Sequence, residues 1–134
     1  MPQYQNSLTL GSAQFGMDYG LTNKKGKVDE TQAVQIIKKA ISLNFEYIDT
    51  ASTYGDSEKI IGKVLSGTLD NNIKIITKLP PFEESNKEQQ NKIYWKYLVE
   101  NSILKSLKNL NVEKIDTIML HRASHLKNPL IMDE

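Results

Sequence analysis

No cysteine occurs in the chain, which excludes disulfides and thiolate metal ligation at once. No apolar run approaches the roughly 20 residues needed to span a bilayer. The first residues, Met1 to Asn6, lack the basic start and apolar stretch of a signal peptide. Charge of one sign is also missing: 17 basic and 16 acidic residues leave a net charge of +1, with no basic tract to follow a phosphate backbone. Nucleic acid and membrane are therefore not expected partners. Low-complexity segments are absent. The expectation is a soluble, cytoplasmic globular chain, and its 134 residues suffice for one domain with a genuine core.

The residues that are present alternate between two patterns. Leu8 to Gly11 reads as a short strand, followed by a glycine-punctuated loop from Ser12 to Lys27. Asp29 is an N-cap, with Gln32 three residues on, and Ala33, Val34, Ile37, Ala40 and Ile41 form the stripe of an amphipathic helix. Phe45 to Asp49 is a second strand. A helix begins at Ser57, runs through Ile60, Ile61, Val64 and Leu65, and stops at Gly67. Ile73 to Leu79 is a third strand, closed by Pro80 and Pro81, which cannot donate to a ladder. After a polar loop to Asn91, a long helix is expected to turn Ile93, Tyr97, Leu98, Ile103, Leu104, Leu107 and Leu110 inward. Ile115 to Leu120 is the fourth strand, and Asn128-Pro129 opens a further helix.

Strands alternating with helices imply right-handed crossovers and a parallel sheet. Strands that are apolar along most of their length imply burial on both faces. An open doubly wound sheet and an arc of a (β/α)8 barrel both satisfy this pattern.

In parallel α/β folds the working groups sit at the carboxyl ends of strands. Here the second strand ends in Asp49 and runs on to Tyr54, the third ends in Lys78, and the fourth ends in His121. Singly, each has a plainer reading: Asp49 as a turn residue, Tyr54 as a packed amphipathic ring, Lys78 as a snorkelling strand end, His121 as a structural histidine. Together they form a proton-transfer set. A free phenol titrates near 10, too high for acid–base work at neutral pH, and an adjacent ammonium stabilises the phenolate. A half-buried lysine in turn needs a carboxylate, which Asp49 supplies, and a histidine can donate a hydrogen bond to a substrate carbonyl. His121 and His125 lack a third ligand at metal-site spacing, and His125 reads as a loop residue, so no metal is expected.

The stretch Ile48-Asp49-Thr50-Ala51-Ser52-Thr53-Tyr54-Gly55-Asp56-Ser57-Glu58 resembles the aldo-keto reductase family. So do Ser106-Leu107-Lys108-Asn109-Leu110 leading through Ile115-Asp116 to His121, Ile75-Ile76-Thr77-Lys78, and Leu10-Gly11-Ser12-Ala13-Gln14-Phe15-Gly16. The likeness covers most of residues 8–125. It departs at Asn111, where the family places glycine, at Glu113-Lys114, and at Ser12, which replaces a commoner threonine. None of these touches Asp49, Tyr54, Lys78 or His121.

The resemblance implies the N-terminal half of a (β/α)8 TIM barrel over residues 1–134, with parallel strands alternating with helices and the chain stopping after the fourth strand. It implies NADP-dependent reduction of a small aldehyde or ketone, with Tyr54 as general acid. Lys78 and Asp49 would set its acidity, His121 would orient the carbonyl, and Gly11, Ser12 and Asp49 would lie near the nicotinamide ribose. A whole barrel takes about 250 residues, and the family makes most cofactor contacts from its second half. The chain alone is accordingly expected to be an inactive fragment. The alternative is a half-barrel interaction module that self-associates, or pairs with a separate C-terminal half, through open sheet edges.

Overall fold

A computed structural model describes residues 8–67, 72–82 and 92–127. The expected helix at Asn128-Pro129 and most of the polar loop before Lys92 lie outside the described residues. Four short strands, β1 (Thr9–Gly11), β2 (Tyr47–Asp49), β3 (Lys74–Lys78) and β4 (Thr117–Met119), form one parallel sheet in the order β1-β2-β3-β4. Its register aligns Gly11 with Asp49, Asp49 with Ile76, and Ile76 with Thr117.

The strand order chooses between the two candidate architectures. A doubly wound sheet reverses direction at a switch point. Here every crossover steps the same way, so right-handed connections place all the helices on one face. The sheet is an arc of a (β/α)8 barrel.

Between β1 and β2 lie α1 (Ala13–Gly16) and α2 (Glu30–Ser42). The loop expected from Ser12 to Lys27 thus begins with a single helical turn. α2 starts where its cap predicts: the Asp29 side chain accepts from the Thr31 and Gln32 amides. It buries Ala33, Ile37 and Ala40. α3 (Ser57–Ser66) buries Ile60, Ile61 and Val64, and with Phe15, Ile48, Ile75 and Leu110 these form the main core.

The long helix α4 (Lys92–Leu110) corrects the expected face. It buries Trp95, Val99, Ser106 and, as expected, Leu110; of the other residues expected inward, Leu98, Ile103 and Leu107 are half-buried and Ile93, Tyr97 and Leu104 are exposed. Both stripes carry the same spacing, two residues out of phase, which is about 200° around a helix. Trp95 selects the inner one: it is fully buried, edge-on to Phe82 at 5.3 Å, in a second cluster with Leu79 and Val99. α4 also approaches α3 closely. A Cβ on Gly62 would stand 2.7 Å from the Leu110 carbonyl carbon, so only glycine lets the two backbones meet there.

A buried carboxylate ties three elements together. Glu58 of α3 accepts from Thr77 Oγ1 of β3 at 2.9 Å and from Asn109 Nδ2 of α4 at 3.0 Å. Without such donors its removal from water would cost several kcal/mol. α4 then ends at Asn111, whose φ of +52° is the left-handed cap that asparagine tolerates.

Burial on both faces of the sheet is not found. Ile48, Ile75 and Thr77 face the helices and are buried, whereas Tyr47, Asp49, Ile76 and Lys78 are half-buried, and Lys74 and all of β4 are exposed. β4 has no strand beyond it among the described residues, which leaves Ile118 and Met119 uncovered. At the other edge an apolar groove of about 360 Å³ opens between β1 and α2, lined by residues including Leu10, Ile36, Leu43 and Phe45. Among the described residues, no helix is long and apolar enough to cross a membrane.

The reassigned α4 face is directly testable. Trp95→Ala should lower unfolding stability by about 3–5 kcal/mol. Ile93→Ala and Leu104→Ala should each change it by less than about 0.5 kcal/mol. Chemical denaturation followed by circular dichroism measures all three.

Candidate active site

The ladder continues past the strand ends and carries the site residues with it. Ser12 N donates to Asp49 O at 3.0 Å, Thr50 N to Ile76 O at 2.8 Å, and Ser52 N to Lys78 O at 3.2 Å. Because side chains alternate along a strand, Asp49 and Lys78 emerge on the face away from the helices.

Lys78 stands at the centre. Its ammonium donates to Asp49 Oδ1 and, at 3.0 Å, to the Thr50 carbonyl. The lysine side chain is 16% exposed and that of Asp49 34%, so this pair is screened less than a surface ion pair. The same ammonium lies 5.3 Å from the centroid of the Tyr54 ring. Tyr54 meets His121 edge to face, with centroids 6.3 Å apart and planes at 78°. His121 Nδ1 is 3.5 Å from Thr53 Oγ1. The four residues singled out at strand ends are therefore neighbours in space.

The His121 imidazole is held below its ordinary pKa, first by desolvation and then by the positive charges of Lys78 and Arg122 and by His125. The neutral ring, which has one N–H to donate, is thus the favoured form at neutral pH.

Under the site runs a chain of buried hydroxyls. Thr50 Oγ1 lies 3.1 Å from Ser57 Oγ, Ser57 Oγ lies 2.8 Å from Ser12 Oγ, and the Ser12 hydroxyl donates to Asp49 O at 2.8 Å. Ser12, one of the three residues placed near a ribose by resemblance, is 1% exposed, and its hydroxyl is engaged inside the protein. Gly11 and Asp49, the other two, line an open cleft of about 270 Å³ together with Ser12, Ala13, Gln14, Tyr19 and Tyr54.

Tyr19 is the site neighbour that sequence reasoning missed. Its ring centroid is 6.5 Å from that of Tyr54, and its carbonyl accepts from Gln14 Nε2 and Asn23 Nδ2 at 2.9 and 3.0 Å. No periodicity marks a loop aromatic, so only its glycine-rich surroundings hinted at an ordered turn.

His125 is buried in a short 3₁₀ segment (Ala123–Lys127) rather than free in a loop, with Nε2 3.1 Å from Phe82 O. Its Nδ1 has no partner among the described residues. No group of three candidate metal ligands occurs among the described residues.

Comparison with known proteins agrees with this fold. The aldo/keto reductase family model matches residues 7–132. An aldo-keto reductase structure from Pseudomonas aeruginosa is 26% identical with a TM-score of 0.70, covering 95% of this chain and 48% of its own. A holo-form aldo-keto reductase from Bacillus halodurans is 27% identical with a TM-score of 0.66, covering 96% of this chain and 39% of its own. This chain thus spans about half the length of these structures or less. No curated protein matches it.

The lowered His121 pKa has a signed consequence. With the folded value below the unfolded one, the unfolded chain binds more protons in the window just under pH 6.5, so stability is greater above that window and falls as pH drops through it. Denaturation at pH 7.5 and pH 5 should show this loss, and His121→Asn should reduce it. An NMR titration should place the His121 midpoint below 6.5.

Proposed function

Because this chain belongs to the aldo-keto reductase family, we propose that Asp49, Tyr54, Lys78 and His121 are the proton-delivery side of a carbonyl reductase site. The observation that carries this reading is the Lys78 ammonium, bound to Asp49 and set 5.3 Å from the Tyr54 ring. Tyr54 gives its phenolic proton to the oxygen of a small aldehyde or ketone. Lys78 stabilises the phenolate left behind, and Asp49 holds Lys78 in place and balances its charge. Neutral His121 donates to the same carbonyl oxygen and fixes its direction.

A reduced nicotinamide, NADPH in this reading, supplies the hydride when bound. The cleft beside Tyr54 fits such a group. A Cβ at Gly11 would meet nothing within 4 Å, and its backbone is not in the left-handed region, so neither packing nor conformation in this chain calls for glycine there. The open wall that Gly11 leaves next to Asp49 would give such a group room in the cleft. Gly11 and Asp49 are the residues of this chain that would hold it, with Ser12 acting through its bond to the Asp49 carbonyl.

The arc described here makes up less than half of the relatives' chains. We propose that these 134 residues taken alone do not turn over. A second reading has its own support: Ile118 and Met119 on β4, and the apolar groove beside β1, leave both sheet edges suited to pairing with a second copy or with a separate second half.

NADPH oxidation with a generic aldehyde tests these readings, run beside a mass measurement. The chain alone should show no rate above buffer, and turnover by a monomer would contradict that. A chimera carrying the second half of the P. aeruginosa relative should turn over, and Tyr54→Phe should lower its rate by about 10²–10⁴-fold, the usual worth of a positioned general acid. A chimera that loses nothing with Tyr54→Phe would remove Tyr54 from the chemistry. A defined dimer that binds no nucleotide would favour the interaction module.

A further inference from the structure

Tyr54 lies five residues beyond β2 in irregular chain, and the bonds from β3 reach only as far as Ser52, through its amide and its hydroxyl to Lys78 O. The Tyr54 amide donates to Ala51 O at 3.0 Å, a bond within the loop that does not tie it to the rest of the fold. The neighbour that does so belongs to the first βα loop. A Cβ added at Gly16 would stand 2.6 Å from the Tyr54 carbonyl carbon and 2.8 Å from the Ser57 amide nitrogen, closer than real Cβ atoms come to anything, and nearer still to the Tyr54 carbonyl oxygen. Gly55 meets Gly16 from the other side. Its φ of +52° already favours glycine, and a Cβ there would stand 2.9 Å from the Gly16 carbonyl carbon and closer to its oxygen.

The two loops therefore meet backbone to backbone on either side of the Tyr54–Gly55 peptide. The same joint is secured below by the Ser12 and Ser57 hydroxyls, 2.8 Å apart, and at the surface by Lys27 and Asp56, 3.7 Å apart.

We propose that the Gly16–Gly55 contact is a latch that sets where the Tyr54 phenol stands relative to Lys78 and His121, which makes Gly16 a positioning residue for the proton donor. The inference rests on reading Tyr54 as that donor. Proton transfer tolerates little displacement, and an error of about 1 Å in a catalytic group can cost orders of magnitude in rate. A methyl group at Gly16 cannot be absorbed by a flexible side chain, because the three nearest atoms it would meet are all backbone. It must push the Tyr54–Ser57 turn away and break the bond from Ser57 N to Tyr54 O, now 3.0 Å.

Gly62 provides the control, since it makes the same kind of contact, against the Asn109–Leu110 backbone, in the helix layer. Gly16→Ala and Gly62→Ala should both lower the melting temperature of the 134-residue chain. Only Gly16→Ala should abolish the NMR cross-peak between the Tyr54 and His121 rings, and raise the His121 midpoint as that ring loses cover while Lys78, Arg122 and His125 remain around it. A Gly16→Ala chain that melts earlier yet keeps cross-peak and midpoint overturns the latch. So does a Gly62→Ala chain that loses both. Should Gly16→Ala fail to fold, hydrogen exchange on the unmodified chain decides. Latched loops require the Met17 and Ser57 amides to open with one denaturant dependence, and independent opening contradicts the latch. None of these readouts involves turnover, so they can fail while Tyr54→Phe still abolishes activity in the chimera, and the reverse.

Discussion

Lys78 is the constraint on which the rest of the site depends. An ammonium on a 16% exposed side chain needs partners, and it finds them at the end of the neighbouring strand, in the Asp49 carboxylate and the Thr50 carbonyl. Satisfying that one cation draws the ends of β2 and β3 together and fixes the start of the loop that leads to Tyr54. The strand behind it is held in turn by Thr77, bonded to the buried Glu58 of α3, which also takes Asn109 of α4. A charge requirement on the open face and a polar clasp on the helix face thus meet in two consecutive residues. Packing of the apolar core surrounds this joint but does not by itself aim any of the four side chains.

The division of labour within the family fold follows from the same geometry. Asp49, Tyr54, Lys78 and His121 lie at or just beyond the ends of β2, β3 and β4 and so fall within one arc of the barrel. The cleft that would receive a cofactor is lined from this chain only along the first two strand ends, by Gly11, Ser12 and Asp49 and their loops. An arc of four strands can therefore bring these four side chains together. Its two edges carry exposed Ile118 and Met119 on β4 and an apolar groove beside β1.

Much of this was legible in the sequence because it rests on local rules. The Asp29 cap, the Ala33–Ile37–Ala40 stripe, the proline stop after β3 and the asparagine cap at Asn111 each follow from backbone chemistry within one turn. The polar ends of three strands pointed to Asp49, Lys78 and His121, which the structure places around Tyr54. What stayed hidden depends on tertiary contact. α4 carries two apolar stripes with identical spacing, so periodicity gives no phase, and the fully buried Trp95 settles what the more numerous Ile93, Tyr97 and Leu104 obscured. Glu58 and His125 are buried polar residues, visible as such only once their partners Thr77, Asn109 and Phe82 are placed. Tyr19 and Gly16 work through contacts with a second loop, and no pattern along the chain announces a contact between loops.

Three strand ends of this chain assemble a tyrosine beside a paired, desolvated lysine without help from further strands. The ammonium protons of Lys78 report on it directly, because exposed lysines exchange theirs too fast to be seen. Nitrogen-15 NMR of the isolated 134-residue chain near neutral pH should show a slowly exchanging Lys78 ammonium with cross-peaks to the Tyr54 ring. A Lys78 signal broadened away like those of the surface lysines, with no contact to Tyr54, would contradict the account.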